Sequence, residues 1–121
     1  MMLDIHPEPR NSLLEVWTED SILVVGELSE SHTTKRVLAT RRVRAAIMEQ
    51  GYFELEAERT FSFCYHFDSF DALSIYLEKA KWFDREGDAL LIDRAEKIWQ
   101  REKGQIVIRE FLYASRLHRL D

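Results

Sequence analysis

The 121-residue sequence predicts an α+β fold: a mainly antiparallel sheet of about four strands with three helices, in the order ββαβααβ. Three observations carry this expectation. "YFELEAERTFSFCYHF" alternates apolar and polar residues along its whole length, the period of a half-buried strand. "LLEVWTEDSILVVGEL" sets two runs rich in β-branched and aromatic residues around a polar tetrad. Thr34 to Gln50 and Phe70 to Ala80 hold apolar residues at helical spacing without a breaker. Hairpin signals mixed with helices in this way point to layers built on an antiparallel sheet.

Taken in order, residues 1–11 read as an extended N-terminal arm, because both prolines, Pro7 and Pro9, lie there. Residues 12–121 read as a single domain, a size that can bury one core. Leu13 to Leu28 forms two short strands around the "TEDS" turn. Ser31 and Thr33 offer N-caps for a helix over Thr34 to Gln50, and Gly51 is its natural terminator. Val37, Thr40, Val43 and Ile47 make its apolar stripe.

In the long strand, Phe53, Leu55, Ala57, Phe61, Phe63, Tyr65 and Phe67 share one face, interrupted by Arg59. Glu54, Glu56, Glu58, Thr60, Ser62, Cys64 and His66 share the other. Such a strand would extend roughly 50 Å, so a bend or bulge is expected near Arg59 or Thr60. Asp68 as N-cap with Asp71 at N3 would then open the second helix, whose stripe is Phe70, Leu73, Leu77 and Ala80. Asp88 would cap a third helix that turns Leu91, Ala95 and Ile98 inward and ends at Gly104. "QIVIREFLYASRLHR" is the last strand.

Composition narrows the function classes. With 45% hydrophobic and 32% charged residues the chain has the balance of an ordinary globular domain. Its longest apolar run, Ile22 to Val25, is far too short to span a membrane. "MMLDIHPEPR" resembles neither a signal nor a transit peptide, and one cysteine cannot form an internal disulfide. A cytoplasmic protein is the expectation. A net charge of −5 argues against broad nucleic-acid binding. The four glycines lie far apart and no G-x-G occurs, so no phosphate-cradling loop and no cofactor are expected.

Two constellations stand out. Cys64 and His66 project from the same strand face, with Cα atoms roughly 6.6 Å apart. With Glu58 they are candidates for nucleophilic or acid–base chemistry, and Arg109 or Arg116 could join them. No glycine-flanked oxyanion hole accompanies them, no metal set is spaced around them, and a lone cysteine is usually a small packed residue. The favoured reading is therefore a solvated or ion-paired face. The second constellation is Lys35, Arg36, Arg41, Arg42 and Arg44, an anion-binding candidate. Against one acid, Glu49, these five cations give the helix +4 and leave −9 on the remainder. No aromatic residue is interleaved with them, as a single-stranded nucleic-acid platform would want. Pairing with the Glu54, Glu56 and Glu58 row, or between subunits, is the favoured alternative.

From Ile22 to Arg119 the chain resembles the C-terminal half of class I S-adenosylmethionine-dependent methyltransferases. The likeness is carried by "ILVVGELSE", by "EQGYFELEAERTF" as a G-aromatic-x-x-x-E step, by "YHFDSFDALSIYL" and by "VIREFLYASRLHR". The family's glycine-rich cofactor loop and ribose-binding acid have no counterpart, so no catalytic or cofactor residue carries over. What the resemblance implies is a stand-alone relic or an accessory subunit lacking the catalytic half.

Three tryptophans, four tyrosines and seven phenylalanines are more aromatic surface than one such core commonly needs. The expected function is a non-catalytic module that forms a homo-oligomer or binds another protein.

Overall fold

The structure, a computed structural model, describes residues 2–28, 31–80 and 89–120. It holds five strands and three helices: β1 Met2–Pro7, β2 Ser12–Trp17, β3 Ile22–Leu28, α1 Ser31–Glu49, β4 Phe53–Phe67, α2 Phe70–Ala80, α3 Ala89–Glu102 and β5 Gln105–Arg119. The fold is α+β with an open antiparallel sheet. The expected strand count was short by one, and the extra strand is β1, inside the segment read as an arm.

Long β5 organises the sheet. Along one side it pairs with β4 from Phe53↔Arg119 to Phe67↔Ile106. Along the other it pairs first with β2, Leu13↔Arg109 to Trp17↔Gln105, and then with β1, Pro7↔Leu112 to Met2↔Leu117. β1 and β2 thus lie end to end in one lane. Pro7 closes β1 and Pro9 lies in the bend, where a missing N–H costs no ladder bond. The bend stays tied to the sheet, because Glu8 N donates to Phe111 O at 2.8 Å and the Arg10 guanidinium lies 3.6 Å above the Phe111 ring centre. β3 completes the sheet against β2, Ser12↔Leu28 to Trp17↔Ile22.

The Thr18–Ser21 turn forms as its sequence suggests. Thr18 N donates to Ser21 O at 2.9 Å, and Thr18 Oγ1 accepts from Ser21 N at 3.0 Å. Gly51 has φ of 80°, the left-handed C′ position that ends α1. At α3 this position is taken by Lys103, φ 58°, instead of Gly104. Gly104 serves another purpose: a Cβ there would collide with the Trp17 carbonyl oxygen. α2 also opens differently from expectation. Ser69 is its N-cap, with Oγ accepting from Ala72 N at 3.1 Å, which leaves Asp71 in the first turn and Asp68 outside. The capping roles read for Ser31, Thr33 and Asp88 rest on side chains outside the described residues.

α2 and α3 cover one half of one sheet face. There Leu14, Val16, Ile106 and Ile108 from the sheet meet Leu73, Leu77, Leu91 and Ala95 from the helices. Tyr65, Phe67, Phe70 and Trp99 pack around this core. α1 crosses the opposite face over β1 and the far half of β5. Its stripe is only partly buried: Val37 is inside, but Val43 is 61% exposed.

The bulge in β4 falls between Leu55 and Ala57, not at Arg59 or Thr60. One extra residue flips the side-chain alternation. Leu55, opposite Leu117, therefore joins the α1 face, while Ala57, opposite Arg116, stays on the face of α2 and α3. The single row of three glutamates read from the sequence is split in the same way.

Candidate functional site

The side chains singled out on the polar face lie along β4, at different positions of its ladder with β5. Cys64 lies opposite Arg109 and is half-buried, His66 lies opposite Val107, and Glu58 lies opposite Ser115. His66 Nδ1 is 3.1 Å from Gln105 Oε1, and its ring meets Trp17 edge-to-face at 5.0 Å. Glu58 instead accepts a 2.7 Å hydrogen bond from the Tyr113 hydroxyl. Glu56, moved by the bulge, pairs with Arg116 at 2.8 Å and lies 3.4 Å from His118 Nδ1. Among the described residues no group of three or more His, Cys, Asp or Glu side chains is placed to hold a metal ion.

The most buried acid on that face is a residue the sequence reading passed over. Glu15 is buried, and its carboxylate accepts from Arg109 Nε and from Trp17 Nε1 at 2.8 Å. Arg109 also donates to Ser62 Oγ at 2.9 Å. The hydrogen bond with Glu15 holds the Arg109 guanidinium above its ordinary value. The one available signal was a lone acid inside the apolar run "LLEVW". The Glu15 carboxylate is thus held between Trp17 and Arg109, and Arg109 is tied in turn to β4 through Ser62.

The basic helix divides into two parts. Arg41 Nε donates to His6 Nε2 at 3.3 Å, and Arg44 donates to the Tyr113 hydroxyl at 3.1 Å. An Asp4 carboxylate oxygen lies 3.2 Å from His6 Nδ1 and 3.4 Å from Arg44 Nε, ion-pair distances without hydrogen-bond alignment. Burial, together with the bond it donates to Glu58, pushes the Tyr113 hydroxyl above its ordinary pKa. Among the described residues the acid that pairs with the helix is Asp4 of β1, and Tyr113 links Arg44 to Glu58. Lys35, Arg36 and Arg42 remain exposed.

A different surface has the character of a site. Among the described residues, α2 and α3 leave the far half of their sheet face bare. Leu3 (64% exposed), Ile5 (61%), Phe61 (39%) and Phe63 (50%) stand there with half-buried Leu112 and Ala114 between them. Pairing fixes the arrangement: Ile5 opposes Ala114, Pro7 opposes Leu112, and Leu112 opposes Phe61. Arg59 and Arg116 stand at its margin. A contiguous apolar patch rimmed by charge is the signature of a surface that meets another protein. Leu3 and Ile5 belong to the segment read as an arm, although "MLDIH" alternates as a strand does. A second apolar groove, of about 440 Å³, runs between α1 and β1 and is lined by Met2, Ala39, Val43, Ile47 and Leu117.

No helix among the described residues is long and apolar enough to cross a membrane. No protein-family model, no curated protein and no solved structure matches the chain.

Proposed function

We propose that this protein is a non-catalytic module that acts by associating with a protein surface, in the first place another copy of itself. The observation that carries this reading is the bare half of the sheet face, where Leu3, Ile5, Phe61 and Phe63 stand exposed beside a half that α2 and α3 cover. Fully burying one such side chain contributes about 1.5–3 kcal/mol; these four are 39–64% exposed, so covering them gains part of that at each. Two carboxylates of the polar face are engaged by neighbouring side chains, Glu15 by Arg109 and Trp17 and Glu58 by Tyr113. No observation favours the accessory-subunit reading of the methyltransferase resemblance, whose expected partner would hold the missing glycine loop.

Light scattering tests the proposal. The expected species has twice the 14.4 kDa mass of one chain. Ile5→Glu and Phe63→Glu, both at exposed positions, should shift it to the monomer while circular dichroism stays unchanged. A wild-type chain that stays monomeric at high concentration overturns self-association.

A further inference from the structure

We infer that the trough between α1 and the end of the sheet is a docking site for an acidic amphipathic helix of a different protein. It lies on the side of the sheet opposite the bare face, so the inference does not depend on self-association. Its floor is Met2, Leu117 and Leu55, side by side on β1, β5 and β4. Leu55 belongs to it because the bulge turns that residue to the α1 face. Its wall is Ala39, Val43 and Ile47, at i, i+4 and i+8 along α1. Met2, Leu55, Val43 and Ile47 are all exposed. The part of the trough beside β1 has a volume of about 440 Å³, the size of a site that takes anchoring side chains.

Geometry selects a helix as the occupant. The floor residues lie on three adjacent strands, so the trough runs across the strands and its occupant cannot continue their ladder. The row Ala39, Val43 and Ile47 is the kind of ridge that packs into the groove of a neighbouring helix, and the small Ala39 permits close approach. Two helices, α2 and α3, lie together on the other face, whereas α1 lies alone on this one among the described residues.

Charge selects the composition of that helix. Arg41 is tied to His6, and Arg44 to Asp4 and Tyr113. Lys35, Arg36 and Arg42 stay exposed, and their spacing makes all three surface neighbours of Ala39, at i−4, i−3 and i+3. Arg119, also exposed, follows Leu117 on the same face of β5. Four cations thus border an apolar trough in a chain of net charge −5. The matching partner presents apolar residues at helical spacing with acids on both flanks. A second copy has no such helix to offer. Its α1 would bring like charges together, and its α2 and α3 turn their apolar stripes into the core.

Titration with synthetic peptides tests the inference. The probe is a peptide of about 15–20 residues with Leu at i, i+4, i+7 and i+11 and Glu and Ala elsewhere. Its controls are the same peptide with Lys for every Glu and a scrambled order of the same composition. By calorimetry the Glu peptide should bind one to one, and both controls about tenfold or more weakly. NMR shifts should centre on Ala39, Val43, Ile47 and Leu117. Val43→Glu, at an exposed position, should weaken binding about tenfold or more with circular dichroism unchanged. Phe63→Glu, on the opposite face, should leave it unchanged. No binding at about 1 mM peptide, equal binding of the Lys peptide, or indifference to Val43→Glu overturns the inference. So does an equal loss with Phe63→Glu, which moves the peptide to the bare face. Capture by phosphatidylserine vesicles without affinity for the peptide makes the trough a lipid site, and a dimer broken by Val43→Glu gives it to a second copy; either result overturns it. A monomeric wild type that binds the Glu peptide overturns self-association alone.

Discussion

Arg109 clamps the Glu15 carboxylate, with Nε 3.0 Å from one oxygen and 3.3 Å from the other. Glu15 is 2% exposed, whereas the Arg109 side chain is 23% exposed. Removing the arginine would strand a buried charge that water cannot reach. Arg109→Ala should therefore destabilise the fold towards the lower end of about 3–5 kcal/mol, since the arginine side of the pair is partly solvated. The double variant Glu15→Leu/Arg109→Met keeps the volume and removes both charges, so it should lose less than Arg109→Ala alone. Urea denaturation of the three proteins checks the order. If the single arginine variant is as stable as wild type, Glu15 is not sealed from solvent.

Tyr113 should give the protein an alkaline sensitivity. Burial and the bond to Glu58 raise its folded pKa above the usual 10.0. A raised folded pKa means that the native state holds the proton more tightly than the unfolded chain does. Its contribution is fully present below about pH 10 and is lost as pH rises through the folded value. Spectrophotometric titration should show one tyrosine ionising later than the others, and Tyr113→Phe should remove that late step. The same variant frees Glu58 and Arg44 from their shared hydroxyl.

The sheet and its helices were legible because they rest on periodicity. β5 was delimited as found, and the Phe70, Leu73 and Leu77 stripe faces the core. What was not legible is where periodicity breaks or where partners are remote in sequence. A bulge is one residue of register, and nothing in "FELEAERTF" marks Glu56 as the extra one. β1 was masked by its prolines, although these stand only at its end and beyond it. The Asp4–Arg44 and Glu15–Arg109 pairs join segments whose adjacency depends on strand order, which local patterns do not encode. The bare sheet face was equally hidden: Phe61 and Phe63 continue the same alternation as Tyr65 and Phe67, and only the reach of α2 separates exposed from covered.

The start of α2 separates two serviceable capping residues one position apart. Ser69 Oγ takes the Ala72 amide, so Ser69→Ala should cost about 1 kcal/mol of stability. Asp68→Ala should cost only a few tenths, because that residue is exposed and lies one step outside the cap. Thermal melts of the two variants decide it. A larger loss at Asp68 would restore the aspartate cap expected from the sequence.

The pairing of β1 with β5 makes the sharpest claim about the N-terminal segment. Met2 to Pro7 runs antiparallel to Leu117 to Leu112, so alternate amides of β1 donate into the ladder and the others face outward. Met2, Asp4 and His6 turn towards α1, where His6 is 8% exposed and its ring lies 5.0 Å from that of Tyr113. Leu3 and Ile5 turn to the opposite face. A free arm would exchange its amide hydrogens uniformly at unstructured rates. A paired strand exchanges them in alternation, with the inward amides slower by about tenfold or more. Hydrogen exchange followed by NMR over Leu3 to His6 reads this directly. Deleting residues 1–7 should then speed exchange at Leu112 to Leu117 and uncover Tyr113, while the β2–β3 hairpin amides keep their protection. Fast exchange across Leu3 to His6 in the intact chain would return the segment to an arm and remove Leu3 and Ile5 from the apolar surface.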